Sequence, residues 1–208
     1  LLNDAQRVSQ AAVGTASKLV LHLFASSDEL ASELQHHGVG CTTAGIHGDA
    51  ELRDDATYQH VMAQAGAGVY TMVVAGNKPV GDDVTRRVVA IIVAACRHGA
   101  SFILESPADR VGAIPELESQ TDSRKAHFDW CRLGSESRQA TIMLYSAGLT
   151  RLDSLAGLRC RCPGRHGHQA ASHEMEDRAW SRPHELTVLI AAAAADWVRR
   201  AQARVTWT

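Results

Sequence analysis

No dense run of lysine and arginine occurs in this chain, and the formal charge is −2 at pH 7. That balance argues against a domain that holds nucleic acid by charge alone, while leaving room for a local basic groove. The cysteines are few and odd in number: five, at positions 41, 96, 131, 160 and 162. Such irregular spacing is not the framework of a small disulfide-stapled secreted fold, so a reducing, intracellular setting is the expectation. Long apolar runs are also missing. The longest near the C-terminus, Leu186 to Val198, is interrupted by Thr187 and Asp196 and is too short to cross a bilayer, so no membrane contact is expected. No charged segment followed by an apolar stretch marks a signal peptide, and the chain opens Leu1-Leu2-Asn3-Asp4 without methionine, which suggests a piece of something longer. Internal repeats are absent, and the run Ala191 to Ala195 simply has high helix propensity.

What is present is enough for one core. With 208 residues and 45% hydrophobic content, the length favours one α/β domain, residues 18–208, behind an N-terminal extension of residues 1–17. The most informative stretch is Lys18 to Gly38. Apolar Leu19 to Phe24, broken only by His22, suits a buried parallel strand; Ser26 and Glu29 have the spacing of a capping box; Gly38 closes the helix. A strand entering a helix through a tight turn can present backbone N–H groups to a small ligand.

The alternation continues. Val39 to Ile46 reads as a second strand, Tyr58 to Ala65 as a short helix, and Val69 to Gly76 as the strongest central strand, ending in the turn Gly76-Asn77-Lys78-Pro79. Asp83 is placed to cap a helix on which Val84, Val88, Ile91, Ile92 and Ala95 share one face, with Gly99 as its stop. Ser101 to Pro107 is another buried strand. Strand and helix at these spacings predict a Rossmann-like, doubly wound, mostly parallel sheet with helices on both faces. The second half is less regular. Residues 111–125 are polar and turn-rich, 127–134 and 139–149 read as short strands, 158–181 as mostly loop, and His184 to Val205 as a closing helix.

In open parallel sheets, ligands bind beyond the carboxyl ends of the strands where the strand order reverses. The turns after Phe24, Ile46, Ala75 and Leu104 would meet there. A phosphate or carboxylate at the helix start near Ser26, and a ribose diol on Asp49 or Asp55, make a nucleoside-bearing ligand the natural expectation. Helix capping alone accounts equally well for Ser26, Asp28 and Glu29, and a solvated loop for Asp49 and Asp55. Glu105 is different, because a carboxylate beside Phe102 to Leu104 is costly to bury unless it finds donors.

The order Leu-Phe-Ala-x-Ser (23–27), Val-Val-Ala-Gly before a Pro-containing turn (73–79), Phe-Ile-Leu-Glu-Ser-Pro-Ala-Asp-Arg (102–110), then Trp-Cys-Arg-Leu-Gly (130–134) and Thr-Ile-Met-Leu-Tyr-Ser-Ala-Gly-Leu (141–149) resembles the S-adenosylmethionine-dependent methyltransferase fold. More narrowly, it is similar to the divergent cytosine-C5 methyltransferase-like domains of eukaryotic retroelement-type polyproteins, over roughly Leu19 to Val198. The resemblance implies S-adenosylmethionine as cofactor and nucleic acid as partner. It assigns Phe24, Ala25, Ser26 and Ser27 to the cofactor and has no clean equivalent for the family's acidic residue after the second strand; Asp49, Ala75 and Gly76 join the expected cofactor site by their place at the strand ends. Glu105 and Arg138 fall to the catalytic site, with Glu105 holding the target base. The chain also departs from the family pattern. Ser26 and Asp28 stand where the cofactor turn carries glycine, and Ser106 follows Glu105 in place of asparagine. Ser137 stands at a glutamine position, and Val80 follows Pro79 where the family has its cysteine nucleophile. Cysteine is absent between Cys41 and Cys96, so no realignment of that turn supplies a thiol.

Two further readings accompany this one. A non-enzymatic scaffold or interaction domain would keep the sheet and lose the site. A zinc-supported module would draw on Cys160, Cys162, His166, His168 and His173, although the single residue between Cys160 and Cys162 is unusual for zinc and a His-rich surface loop explains the cluster as well. Cys41 and Cys96 read as small buried thiols, and His36, His37 and His184 as helix-end residues.

Overall fold

A computed structural model describes residues 19–24, 27–44, 50–76, 82–108, 114–135, 139–161 and 182–205. Among them, β1 (Leu19–Leu23), β2 (Gly40–Ala44), β3 (Tyr70–Ala75), β4 (Ser101–Pro107), β5 (Ser123–Asp129) and β6 (Ala140–Ser146) form one sheet in the order β2-β1-β3-β4-β6-β5. The first four are parallel, and β6 runs antiparallel to both β4 and β5. The helices are α1 (Glu29–His36), α2 (Ala50–Arg53), α3 (Asp55–Gly66), α4 (Asp82–Arg97), α5 (Ile114–Gln120) and α6 (His184–Val205), with 3-10 turns at Trp130–Leu133 and Thr150–Leu155.

Alternation along each strand divides the core in two, as the two-residue period of a strand requires. Leu21, Val73, Phe102 and Leu144 point to one face, where they meet Val88, Ile91 and Ile92 of α4 together with Leu52 and Val61. Val20, Met72, Ile103 and Met143 point to the other, against Leu30 and Leu34 of α1 and Leu186, Ile190 and Ala194 of α6. Helices therefore cover both faces, and the domain is α/β, Rossmann-like and doubly wound.

Several local expectations shift. α1 begins at Glu29 with Asp28 at its cap, and the Asp28 side chain makes no capping bond, so Glu29 does not sit in the third position that a capping box needs. Its carboxylate instead meets His184 Nδ1 at 2.6 Å, at the start of α6. α3 is longer than expected because Asp54 caps it, accepting from Thr57 N–H at 2.8 Å. α4 starts at Asp82, which puts Asp83 inside the helix. Residues 111–125 contain a helix, α5, and the first residues of β5. The stretch 127–134 is a strand only to Asp129, after which a 3-10 turn ends at Gly134 with φ +85°. Gly38, by contrast, terminates α1 as expected, at φ +71°.

Candidate functional site

The chain runs from β1 to β2 on one side and returns to place β3 on the other, so the strand order reverses at β1/β3. A crevice opens at such a point, above the carboxyl ends of the strands. Register brings the rim into line there. Leu23 pairs with Ala75 and Ala75 with Leu104, which sets Phe24, Gly76 and Glu105 as the next row outward. Gly76 N–H donates to Leu23 O at 3.0 Å and Phe24 N–H to Ala44 O at 3.1 Å, tying three strand ends together. Phe24 adopts a left-handed φ of +57°, unusual for a residue with a side chain. Its ring turns into the core beside α4, leaving only its backbone at the rim.

Gly76 has a steric role. A Cβ on it would lie 3.0 Å from the Phe24 carbonyl oxygen and 3.8 Å from Nη2 of Arg182, just before α6. The tight contact is with the Phe24 backbone, so glycine is needed for the close approach of the β1 and β3 ends; the guanidinium passes at ordinary contact distance and ion-pairs with Glu105 Oε1. The Glu105 side chain is fully buried and that of Arg182 is 10% exposed. Oε2 of Glu105 has no hydrogen-bond partner among the described residues. Burial pushes the Glu105 carboxyl above the usual carboxylate range, with the attraction of Arg182 partly offsetting the rise.

His22 lies on the same face of the sheet, buried, with Nδ1 unpartnered among the described residues. Desolvation, reinforced by the Arg182 charge, holds its imidazole down to about 3, so it is neutral at physiological pH. The rim thus gathers a carboxylate, a guanidinium and an uncharged imidazole. Groups of these kinds can pair with charge and accept hydrogen bonds; none of them is an activated nucleophile.

Of the residues singled out from the sequence, Phe24, Gly76 and Glu105 are brought together. Ala75 is buried within β3, and Ser27 is exposed before α1. Ala25, Ser26, Asp49 and Arg138 lie outside the described residues, as do Cys162, His166, His168 and His173 of the Cys/His cluster. Cys160 is described, and its N–H donates to Asp129 Oδ2 at 2.8 Å. No group of metal-ligating side chains occurs among the described residues. Asp55 is committed to Arg87, whose guanidinium also reaches the Leu52 carbonyl at 3.0 Å. Cys41 and Cys96 are half-buried rather than fully buried, and desolvation raises their thiols to about 12 and about 11, away from thiolate chemistry. Arg182 and His22 were not singled out. The available signal was a lone histidine within an apolar strand, and an arginine directly before Pro183 at a helix start.

Fold and rim together define a doubly wound α/β domain whose strand order reverses at β1/β3, with Phe24, Gly76 and Glu105 at that reversal. No family model matches the chain, and neither does any curated protein. Among solved structures it is similar to a crystal structure of a Spodoptera frugiperda DNMT2 mutant, with 9% sequence identity and a TM-score of 0.41, over 71% of this chain and 56% of that one. The chain therefore spans little more than half the length of that structure. No helix among the described residues is long and apolar enough to cross a membrane.

Proposed function

We propose that this is an S-adenosylmethionine-dependent methyltransferase-like domain of the nucleic-acid cytosine type, which retains the ligand rim and lacks the means to activate a cytosine. The observation that carries the reading is the row Phe24, Gly76, Glu105 above the β1/β3 reversal, where the resemblance assigns cofactor and base contacts. The described rim fits an adenosyl amino acid in one respect: Arg182 carries a charge complementary to an α-carboxylate, which would compete with Glu105 for it. When bound, the cofactor supplies a methyl group on a sulfonium centre. The chain's own part is to seat it and keep water away from the buried carboxylate. Cytosine C5 chemistry needs a nucleophile on C6, and Pro79 is followed here by Val80, so the thiol for that step is missing from the turn.

The test is calorimetry with S-adenosylmethionine and S-adenosylhomocysteine. Saturable heat that weakens in Ser27→Trp supports the reading, and no heat at millimolar ligand overturns the cofactor assignment.

One observation favours a second reading, a non-enzymatic scaffold. Glu105, which should meet the base, is wholly buried and already engaged by Arg182. Under that reading neither cofactor binds, while the domain unfolds as one cooperative unit.

A further inference from the structure

A cavity of about 250 Å³ lies far from the rim, between α6 and the turn Thr150–Leu155. α6 starts beside Arg182, and Arg199 follows His184 by fifteen residues, about 22 Å of helix at 1.5 Å per residue; the end of β6, which leads into the cavity, lies beside the start of β4, so the cavity sits toward the amino ends of the parallel strands, opposite the rim. Leu149 and Ala193 contribute apolar lining. The polar lining is mainly cationic: Arg151, Arg199 and Arg200, against the single carboxylate of Asp196.

That carboxylate organises the cations. Asp196 Oδ2 accepts from Arg151 Nε at 3.0 Å and Nη2 at 2.7 Å, while Oδ1 accepts from Arg199 Nη2. Arg200 is held separately, with Nη2 donating to the Gly148 carbonyl at 3.0 Å and Nε to the Asp196 carbonyl at 3.3 Å. Its guanidinium lies 5.7 Å from the ring of Trp197, which packs where a Cβ on Gly148 would stand. Burial opposes the Asp196 charge, but the bonds from Arg151 and Arg199 outweigh it and keep the carboxyl below its usual range, so Asp196 stays ionised.

One negative charge set among three positive ones leaves a local surplus of two, on guanidiniums oriented by bonds to Asp196 and Gly148, with the Arg151 and Arg199 side chains 52% and 57% exposed and open to solvent. Fixing donors in advance removes much of the ordering cost of binding, and planar guanidinium forks match tetrahedral oxyanions. A volume of about 250 Å³ is just under the roughly 300 to 1,000 Å³ of small-molecule pockets, which suits a compact anion better than a large apolar ligand.

We infer that this cavity is a phosphate-binding site, independent of the rim. Arg151, Arg199 and Arg200 hold the oxyanion, Thr150 lines the cavity beside them, and Asp196 positions Arg151 and Arg199.

The test uses two probes on the whole chain, inorganic phosphate and a short single-stranded oligodeoxynucleotide, at low and at raised salt. Addition of phosphate should move the Nε–H resonances of Arg151, Arg199 and Arg200 saturably. Thr150→Glu and Arg199→Gln should each weaken binding by about tenfold or more, since each removes or opposes a charge-assisted bond. Binding of phosphate alone identifies a free or monoester phosphate as the ligand. Binding of both probes, competing and steeply weakened by salt, identifies a phosphodiester backbone. Either result sustains the site. Arginine resonances that stay in place at millimolar phosphate, or affinities unchanged in Thr150→Glu, overturn it; the resonance measurement holds even where a variant does not fold.

Discussion

Replacing Arg182 with methionine isolates the electrostatics of the rim, because it keeps a long apolar side chain over Gly76 and removes only the charge. Glu105 then remains fully buried with no cationic partner among the described residues. Leaving one member of a buried pair uncompensated costs about 3–5 kcal/mol. The carboxyl can escape that cost by taking up a proton, and burial already pushes its pKa upward, so the loss should fall at the lower end, about 3 kcal/mol at pH 7. For a chain of this length that corresponds to a fall in Tm of roughly 6–12 °C. The pH dependence has a definite sign. A carboxyl with a folded pKa above its unfolded value of about 4.3 binds more protons when folded, so stability declines as pH rises from that value through the folded pKa. Arg182→Met raises the folded pKa further, so its deficit relative to the parent should be large at pH 7–8 and should shrink toward pH 4–5. Adding Glu105→Gln should recover most of the loss at neutral pH, because an amide carries no charge to desolvate. Urea unfolding followed by circular dichroism at several pH values measures all three proteins. A single variant as stable as the parent at pH 7, or a deficit that does not change with pH, would refute the assignment of Glu105 and Arg182 as a buried, electrostatically coupled pair.

Gly76→Ala places a methyl group 3.0 Å from the Phe24 carbonyl oxygen and 3.5 Å from that of Leu23, backbone atoms that cannot swing aside, so a loss of about 1–3 kcal/mol is expected in the same unfolding assay. The exposed pair of His184 and Glu29 makes a pH prediction: the hydrogen bond that His184 Nδ1–H donates to the Glu29 carboxylate raises the His184 pKa, so its contribution to stability is present below about pH 6.5 and lost as pH rises through the raised value. Glu29→Gln should return the His184 titration, followed by NMR, to the ordinary histidine range; an unmoved titration curve would rule out the pairing.

Parts of this molecule were readable from periodicity alone. Val84, Val88, Ile91, Ile92 and Ala95 recur at helical spacing, and all are buried on one side of α4. The apolar block at β3 could only be a strand covered on both faces, and α6 has the bounds expected for it, His184–Val205. These are local signals, set by side-chain order along a few turns. α5 escaped because seven residues, Ile114–Gln120, give too short a period to read, and Pro115 with Ser119 look like turn residues. The role of Glu29 was misread for a related reason. Its spacing from Ser26 is a local cue, yet its carboxylate turns to a histidine 155 residues away.

Chain order, then, determined by itself that alternating strands and helices would build a two-faced, mostly parallel sheet, since burying apolar runs of those lengths leaves few other arrangements, and that Phe24, Gly76 and Glu105 would lie at or near the carboxyl ends of their strands. Tertiary structure alone decided which groups face them. Arg182 reaches Glu105 across 77 residues of sequence, His22 shares their side of the sheet, and three arginines gather beside Asp196 toward the opposite ends of the parallel strands. Such encounters depend on strand order, register and the angle at which α6 crosses the sheet, quantities fixed by packing the whole core and by no pattern within a single segment.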